Sequence, residues 1–434
     1  MVSVSLNDAA WQKVFDHFEI EKQLDENGCA YVTAVDMKSI GGREPRLMAK
    51  HDTMESRPQI FKRNKCVIFP VINGKYIIFR DRKPYSYYKF QSLLDDLPVE
   101  EYQTQIDISK FDSFSQSKEF SESQAIDYAY VISLLKNFTG EQDLFLTIRG
   151  RYRSADFDFI LPEQDHQVNV SGVQIEVDSG YESFDKIYLI EVKVGKRDDF
   201  HIRQLYYPYR DWITKSDKEI IPIFFLYTNG LFYLTEFKFG EKFGETTIVR
   251  KRCFVVNDTP TLDVRIDSLL KSVRIEDEPV LVPYPQADDL DKVIDVVANI
   301  ENGYNTKESI SLYFDFHERQ ADYYGNAAIY LGLIERSESS AGRFHLTEFG
   351  NKLLNASSRS ERNDLLLRQL LKKATFNEIF MQLYQDDFDE DVLNKTFVSS
   401  VIRKHTPLTG TTPDRRASTV ISWFKWMLKN ISFE

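Results

Sequence analysis

A chain of 434 residues is long enough for about two to four domains, and with 42% hydrophobic and 28% charged residues it has the composition of a soluble globular protein. A formal net charge of −12 excludes a chain that is basic throughout, and the three cysteines, Cys29, Cys66 and Cys253, are too scattered for a disulfide framework or a cysteine zinc site. No apolar run approaches the ~18 residues of a membrane span. Residues 1–10 also lack the parts of a secretory signal, so no membrane association and a cytoplasmic location are expected.

The first region, 1–115, is expected to be mixed α+β. Apolar spacing predicts a helix over 8–20, and two apolar runs, 66–72 and 76–79, read as a hairpin about Asn73-Gly74. From Met37 to Phe90 there are 13 Lys and Arg against 4 Asp and Glu, a local basic excess that the overall acidity hides. The Ser- and Asp-rich stretch 111–124 reads as a connector. In the second region, 116–277, a helix is predicted over 124–138 and strands over 144–149, 157–161, 173–178 and 187–194. A helix over 198–213 follows, which Pro208 should kink, and then a strand pair, 220–228 and 231–237, about Asn229-Gly230. This order predicts a mixed sheet with a helix on each side. The Pro-rich stretch 278–285 reads as a linker. The third region, 286–358, begins with a helix over 288–300. A second helix headed by Thr306 has a soft start, because no capping box is read there. A third helix spans 318–331, and 333–335, the turn 337–342 and 343–347 form a strand-turn-strand wing. Residues 359–434 read as helical, with a basic stretch over 401–430.

The sharpest chemistry lies in two adjacent runs, Gln174-Ile-Glu-Val-Asp178 and Ile187-Tyr-Leu-Ile-Glu-Val-Lys193. Residues two apart in a strand share a face, so Glu176 is expected beside Asp178, and Glu191 beside Lys193. If the strands pair across the polar stretch 179–186, three carboxylates and one amine converge. Carboxylates are poor strand formers and repel one another, and a divalent cation resolves the repulsion. Mg2+ takes one or two carboxylates, waters and a phosphate oxygen, so Asp178, Glu191 and Val192 form the expected metal set. Lys193 would orient the attacking water and neutralise developing charge. Asp156 and Asp158 compete with Asp178 for the metal role, and strand spacing favours Asp178. A second Glu-X-Lys, Glu236-Phe237-Lys238, has no Asp-bearing strand suitably ahead of it and reads as an ordinary strand.

An Asp on one strand followed by Glu-X-Lys on the next resembles the PD-(D/E)XK nuclease superfamily, although Val177 stands where Pro is usual. The resemblance implies an α/β restriction-endonuclease-like core. It also implies a helix-borne carboxylate, for which Glu122 is the candidate, and a supporting Gln204 within Arg203-Gln204-Leu-Tyr-Tyr207. Wider stretches resemble one group of type II restriction endonucleases. These are Gly42-Arg-Glu-Pro-Arg-Leu-Met48, Thr147-Ile-Arg-Gly-Arg151, residues 174–182, residues 202–209, and Arg415-Arg-Ala-Ser-Thr419 with Trp423. That resemblance implies Mg2+-dependent site-specific cleavage of double-stranded DNA, a homodimer, and a methyltransferase that protects the host's own sites.

Residues 286–358 resemble a winged helix-turn-helix, which inserts its third helix into the major groove. Arg319, Gln320, Tyr323 and Asn326 on that helix, with Arg336, Arg343 and His345 in the wing, are the candidate DNA contacts there. Arg43, Arg46, Lys50, Lys62, Arg63 and Lys65 supply a second candidate DNA face. Two other functions fit the same residues: a structure- or damage-directed repair nuclease, and a DNA-binding regulator on an inactive nuclease fold.

Overall fold

The structure, a computed structural model, describes residues 5–90, 97–115, 120–161, 163, 165–337 and 342–434. The chain folds into two compact units that are interleaved in sequence. Residues 1–98, 122–226 and 233–253 make the first, and 99–121, 227–232 and 254–434 the second. The fold is mixed α/β, with a large mixed sheet flanked by helices. Among the described residues no helix is long and apolar enough to cross a membrane.

In the first unit, the helix predicted over 8–20 is two helices, Leu6–His17 and Ile20–Asn27, divided at Glu19, whose φ is 48°. Ser5 caps the first by accepting from the Asp8 N–H, satisfying one of the free donors at a helix start. Strands Cys66–Ile72 and Lys75–Arg80 form the expected hairpin, and Cys29–Thr33 pairs along the other side of Lys75–Arg80. Gly74 takes φ 77°, which glycine adopts without strain. Trp11, Phe15 and Phe61 pack edge to face beneath this sheet. Phe61 is wholly buried, worth roughly 1.5–3 kcal/mol by removal from water.

The strands of the large sheet run, in order, Val99–Tyr102, Thr246–Val256, Leu231–Phe239, Glu219–Thr228, Lys186–Val194, Gln174–Glu182 and Phe145–Arg153. The helix predicted over 124–138 is divided as well. It runs Glu122–Val131 and Leu134–Thr139, with Ser133 left-handed at φ 65° between them. The helix predicted over 198–213 starts late. Asp199–His201 is instead a strand paired with Tyr87–Lys89, and the helix is Arg203–Trp212. The cause is non-local: the buried Asp199 carboxylate accepts from the Met54 N–H at 2.8 Å, which holds this stretch extended. Pro208 lies inside the helix and does not end it.

The second unit is mostly helical. Thr306 and Ser309 do form a capping box, each accepting from the other's backbone N–H, so the start of Lys307–Phe314 is firm where the sequence reading had it soft. Serine substitutes for the usual Glu or Gln at that position. Helices Leu290–Ala298, Lys307–Phe314 and Glu318–Tyr330 are followed by an antiparallel ribbon, Ile334–Arg336 with Phe344–Leu346. The predicted turn residues 338–341 lie outside the described residues. The end of the chain is not wholly helical: Ile431–Phe433 pairs in parallel with Leu262–Val264. The stretch 278–285 is tied down at its start, where buried Glu278 accepts from the Tyr330 hydroxyl at 2.6 Å and the Thr375 N–H at 3.0 Å. Trp423 is fully buried and stacks on Phe376 at 5.7 Å.

Candidate active site

Strand Lys186–Val194 is apolar along most of its length because both of its faces are covered. It pairs antiparallel with Gln174–Glu182 from Ile187↔Glu182 to Ile190↔Ser179. Beyond that point the Val192 N–H donates to a side chain, Oδ2 of Asp178, at 2.8 Å. The Asp178 carboxylate thus serves as the acceptor at the end of the ladder.

The strand on the other side explains why Asp178 stands there. Phe145–Arg153 pairs as Ile148↔Gly180 and then Gly150↔Val177, so Asp178 and Ser179 together face the single residue Arg149. That is a β-bulge, a device that re-aims a side chain and raises local twist. Gly150 takes φ 111°, open to glycine and strained for any other residue.

Four charged groups meet at this place: Lys193, Glu191, Glu122 and Asp178. Lys193 Nζ lies 2.5 Å from Glu191 Oε1, 3.1 Å from the Val192 carbonyl oxygen and 3.7 Å from Glu122 Oε1. Glu122 opens the helix that packs on both strands. Burial pushes the Glu191 carboxyl up to about 8; Lys193 offsets part of that effect, and Asp178 and Glu122 add to it. Burial opposes the charge on Lys193, but Glu191, Glu122 and Asp178 outweigh it and hold the ammonium above its ordinary range. A perturbed carboxyl beside a committed cation is a frequent mark of a functional site.

Of the other sequence candidates, Glu176 and Asp158 have partners elsewhere. Glu176 stands opposite Arg151 in the ladder and pairs with it at 3.2 Å, both side chains more than half exposed. Glu176 stays in regular register on the exposed side with Arg151, while Asp178, in the bulge, turns to the Val192 N–H. Gln204 lies on the helix packed against both strands, and its amide oxygen is buried without a hydrogen-bond partner. Asp156 and Asp158 are exposed, and Asp158 accepts from the Gln167 and Asn169 side chains on the next strand. Glu236 of the second Glu-X-Lys pairs with Arg250 at 2.7 Å. Sequence reasoning missed Arg149, which grips Asp127 of the Glu122 helix with two nitrogens and reaches Ser179 Oγ at 3.2 Å. The run Thr147-Ile-Arg-Gly-Arg151 is its only trace in the sequence.

Among the described residues no group of three or more His, Cys, Asp or Glu side chains is arranged to hold a metal ion. The donors gathered here are two carboxylates, Asp178 and Glu191, and the Val192 carbonyl. All are hard oxygens, a set that fits Mg2+, which leaves the rest of its shell to water and phosphate. The Lys193 ammonium already rests on two of these three donors, so the site accepts positive charge.

Arg46 is exposed, Arg43 is half-buried, Lys50 lies 3.5 Å from Asp52, and Arg63 reaches Glu21 at 4.0 Å. In the second unit Arg319 stacks over Tyr323 and donates to its hydroxyl. The Gln320 amide oxygen is buried without a partner, Asn326 accepts from Arg336 at 3.3 Å, and Arg343 is exposed.

Three domain models match the chain in succession, over residues 8–78, 83–255 and 292–432. Each is described as a domain of unknown function (DUF6996, DUF6997 and DUF7226 respectively). The second spans the whole candidate site. No curated protein and no solved structure matches the chain significantly.

Proposed function

We propose that the protein is a Mg2+-dependent endonuclease of the type II restriction class, with a PD-(D/E)XK core. One observation carries the reading: Asp178, Glu191 and the Val192 carbonyl meet at the end of a strand ladder, with Lys193 among them and Glu122 beside it. Nothing in packing calls for this grouping, and its residue types are those of metal-assisted phosphodiester hydrolysis.

Asp178 and Glu191 would hold the cation, with the Val192 carbonyl as third donor. A bound divalent ion supplies charge neutralisation at the scissile phosphate and a lower pKa for the attacking water. Lys193 would hold that water by hydrogen bonding and face the charge developing on the phosphate oxygens. Val192 fixes Asp178 through its N–H, and Arg149 fixes the bulge through Ser179. Glu122 draws the lysine toward the helix and keeps its ammonium charged.

In the second unit, three helices followed by an antiparallel ribbon support a winged-helix reading, with Glu318–Tyr330 entering the major groove. Cutting both strands requires two sites, hence a homodimer at the moment of cleavage. A methyltransferase that protects the host's sites is the functional partner.

The test is incubation of the full-length protein with unmethylated plasmid and Mg2+. Discrete fragments with uniform ends are expected, absent with a chelator and absent for Lys193→Ala. Ragged cutting confined to damaged or branched DNA would favour a repair nuclease. Bound but uncut DNA would favour a regulator.

A further inference from the structure

We infer that Arg151 and Arg153 form a phosphate-binding track along the edge of the sheet, which receives the DNA strand next to the cleaved bond. This rests on the nuclease reading above. Among the described residues Phe145–Arg153 is the outermost strand at its end of the large sheet. It therefore presents one flank with no neighbouring strand. Its last five residues carry an arginine at every second position, Arg149, Arg151 and Arg153.

The bulge divides these three. Arg149, opposite Asp178 and Ser179, turns to Asp127 and Ser179 and is committed to them. Arg151 and Arg153 lie past the bulge, in regular register opposite Glu176 and Gln174, and both are exposed. Residues two apart in a strand share a face and stand about 6.6–6.8 Å apart. One strand of duplex DNA advances about 3.4 Å along its axis per phosphate while also winding round it, so neighbouring phosphates stand farther apart than that rise and the two arginine positions are spaced to meet adjacent phosphates. The order along the sheet is Asp178, then the row of Arg151 and Glu176, then the row of Arg153 and Gln174. A strand whose scissile phosphate reached Asp178 would have its neighbouring phosphates above this row.

Glu176 then has a role other than catalysis. It lies 3.2 Å from Arg151 in an ion pair that is 67% and 54% exposed, and such pairs are weak enough for a phosphate to displace. Glu176 masks Arg151 in the free protein and opposes phosphate entry. Arg153 has Gln174 opposite it and, among the described residues, no such mask.

The experiment is fluorescence anisotropy of a mixed-sequence duplex with the full chain, in chelator, over a series of KCl concentrations. Without Mg2+ the readout is independent of cleavage. Arg151→Ala and Arg153→Ala are each expected to weaken binding and to reduce the slope of log K against log[KCl] by about 1. Arg151→Lys and Arg153→Lys should restore most of the slope. Glu176→Gln should tighten binding. An unchanged slope in the Arg151→Ala/Arg153→Ala protein overturns the track. The nuclease reading then still stands or falls on Mg2+-dependent cleavage by the parent. A parent that fails to bind the duplex at any salt overturns the track too.

Discussion

The Lys193 ammonium stands 2.5 Å from Oε1 of Glu191, two residues away on the same strand, with side chains only 17% and 7% exposed. Taking both charges out of water costs more than their attraction reliably returns, so a buried pair is poor evidence for stability. Here two further carboxylates, Asp178 and Glu122, crowd the same place. The arrangement is expensive as architecture and makes sense as chemistry.

It follows that an apolar replacement should be tolerated by the fold and not by the reaction. Lys193→Met/Glu191→Leu is expected to unfold within a few degrees of the parent and to lose cleavage by at least about 10²–10³-fold. Thermal denaturation and a plasmid assay with Mg2+ check this. A large fall in Tm with cleavage retained would mean that the pair is a structural staple.

Arg149 should act through the residues it holds. It joins the Glu122 helix, at Asp127, to the bulge, at Ser179. Arg149 and Asp127 are 35% and 39% exposed, so solvent screening limits their stabilisation to about 1 kcal/mol or less. Arg149→Gln is expected to leave Tm nearly unchanged while weakening Mn2+ binding, measured by calorimetry as a probe of the cation site. Arg149→Lys should recover part of that affinity. Equal Mn2+ affinity in all three proteins would confine Arg149 to a surface role.

How much of this was legible in the sequence depends on whether the cause was local. The runs ending at Asp178 and Lys193 announce themselves because apolar residues bracket the charged ones and a polar turn lies between. Asn229-Gly230 was equally plain, and both residues have positive φ, 51° and 75°. What escaped was set by partners far along the chain. The bulge exists only against Phe145–Arg153, so Glu176 was expected among the carboxylates and is found with Arg151. The strand Asp199–His201 depends on its pairing with Tyr87–Lys89, and Ile431–Phe433 on Leu262–Val264. The strand Thr246–Val256 mixes Thr, Arg and Lys among its apolar residues and lacks clean alternation.

Acid should weaken the first unit through two histidines. His51 and His201 are buried, and neither ring nitrogen of His51 has a hydrogen-bond partner of good geometry. Burial, with Arg57 next, lowers His51 to about 3, and burial with Arg203 lowers His201 well below 6.5. Both pKa values are depressed on folding, so the unfolded chain binds more protons below about pH 6.5. The stability from the neutral rings is present above that pH and is lost as pH falls, at about 1.4 kcal/mol per pH unit for each ring. Two carboxyls raised by burial, Glu191 to about 8 and Asp199 to about 6, take their protons before the histidines in the folded state and offset part of the loss as pH falls. His51→Phe keeps the packing against Trp11 and Phe61 and should flatten the fall in urea midpoint between pH 6.5 and about 4. A parallel fall in both proteins would exonerate this ring.

The two candidate arginines of the second unit should fail in different ways. Arg343 is exposed on the ribbon side, which suits a phosphate contact. Arg343→Ala is then expected to weaken binding about equally for all duplexes and to lower the salt slope by about 1. Arg319 stands in the first turn of Glu318–Tyr330, which in the winged-helix reading proposed above is the turn that would meet base edges. Tyr323 holds it from one turn along, stacking beneath the guanidinium and accepting its hydrogen bond. Arg319→Ala should therefore cost about 1–3 kcal/mol on a cleaved sequence and little on an unrelated one. Tyr323→Phe, which keeps the stack and loses the hydrogen bond, should produce a weaker version of the same loss. Binding of cognate and unrelated duplexes, compared in chelator, separates the two patterns. Equal losses on both duplexes for Arg319→Ala would make that residue a backbone contact and leave base reading to another part of the protein.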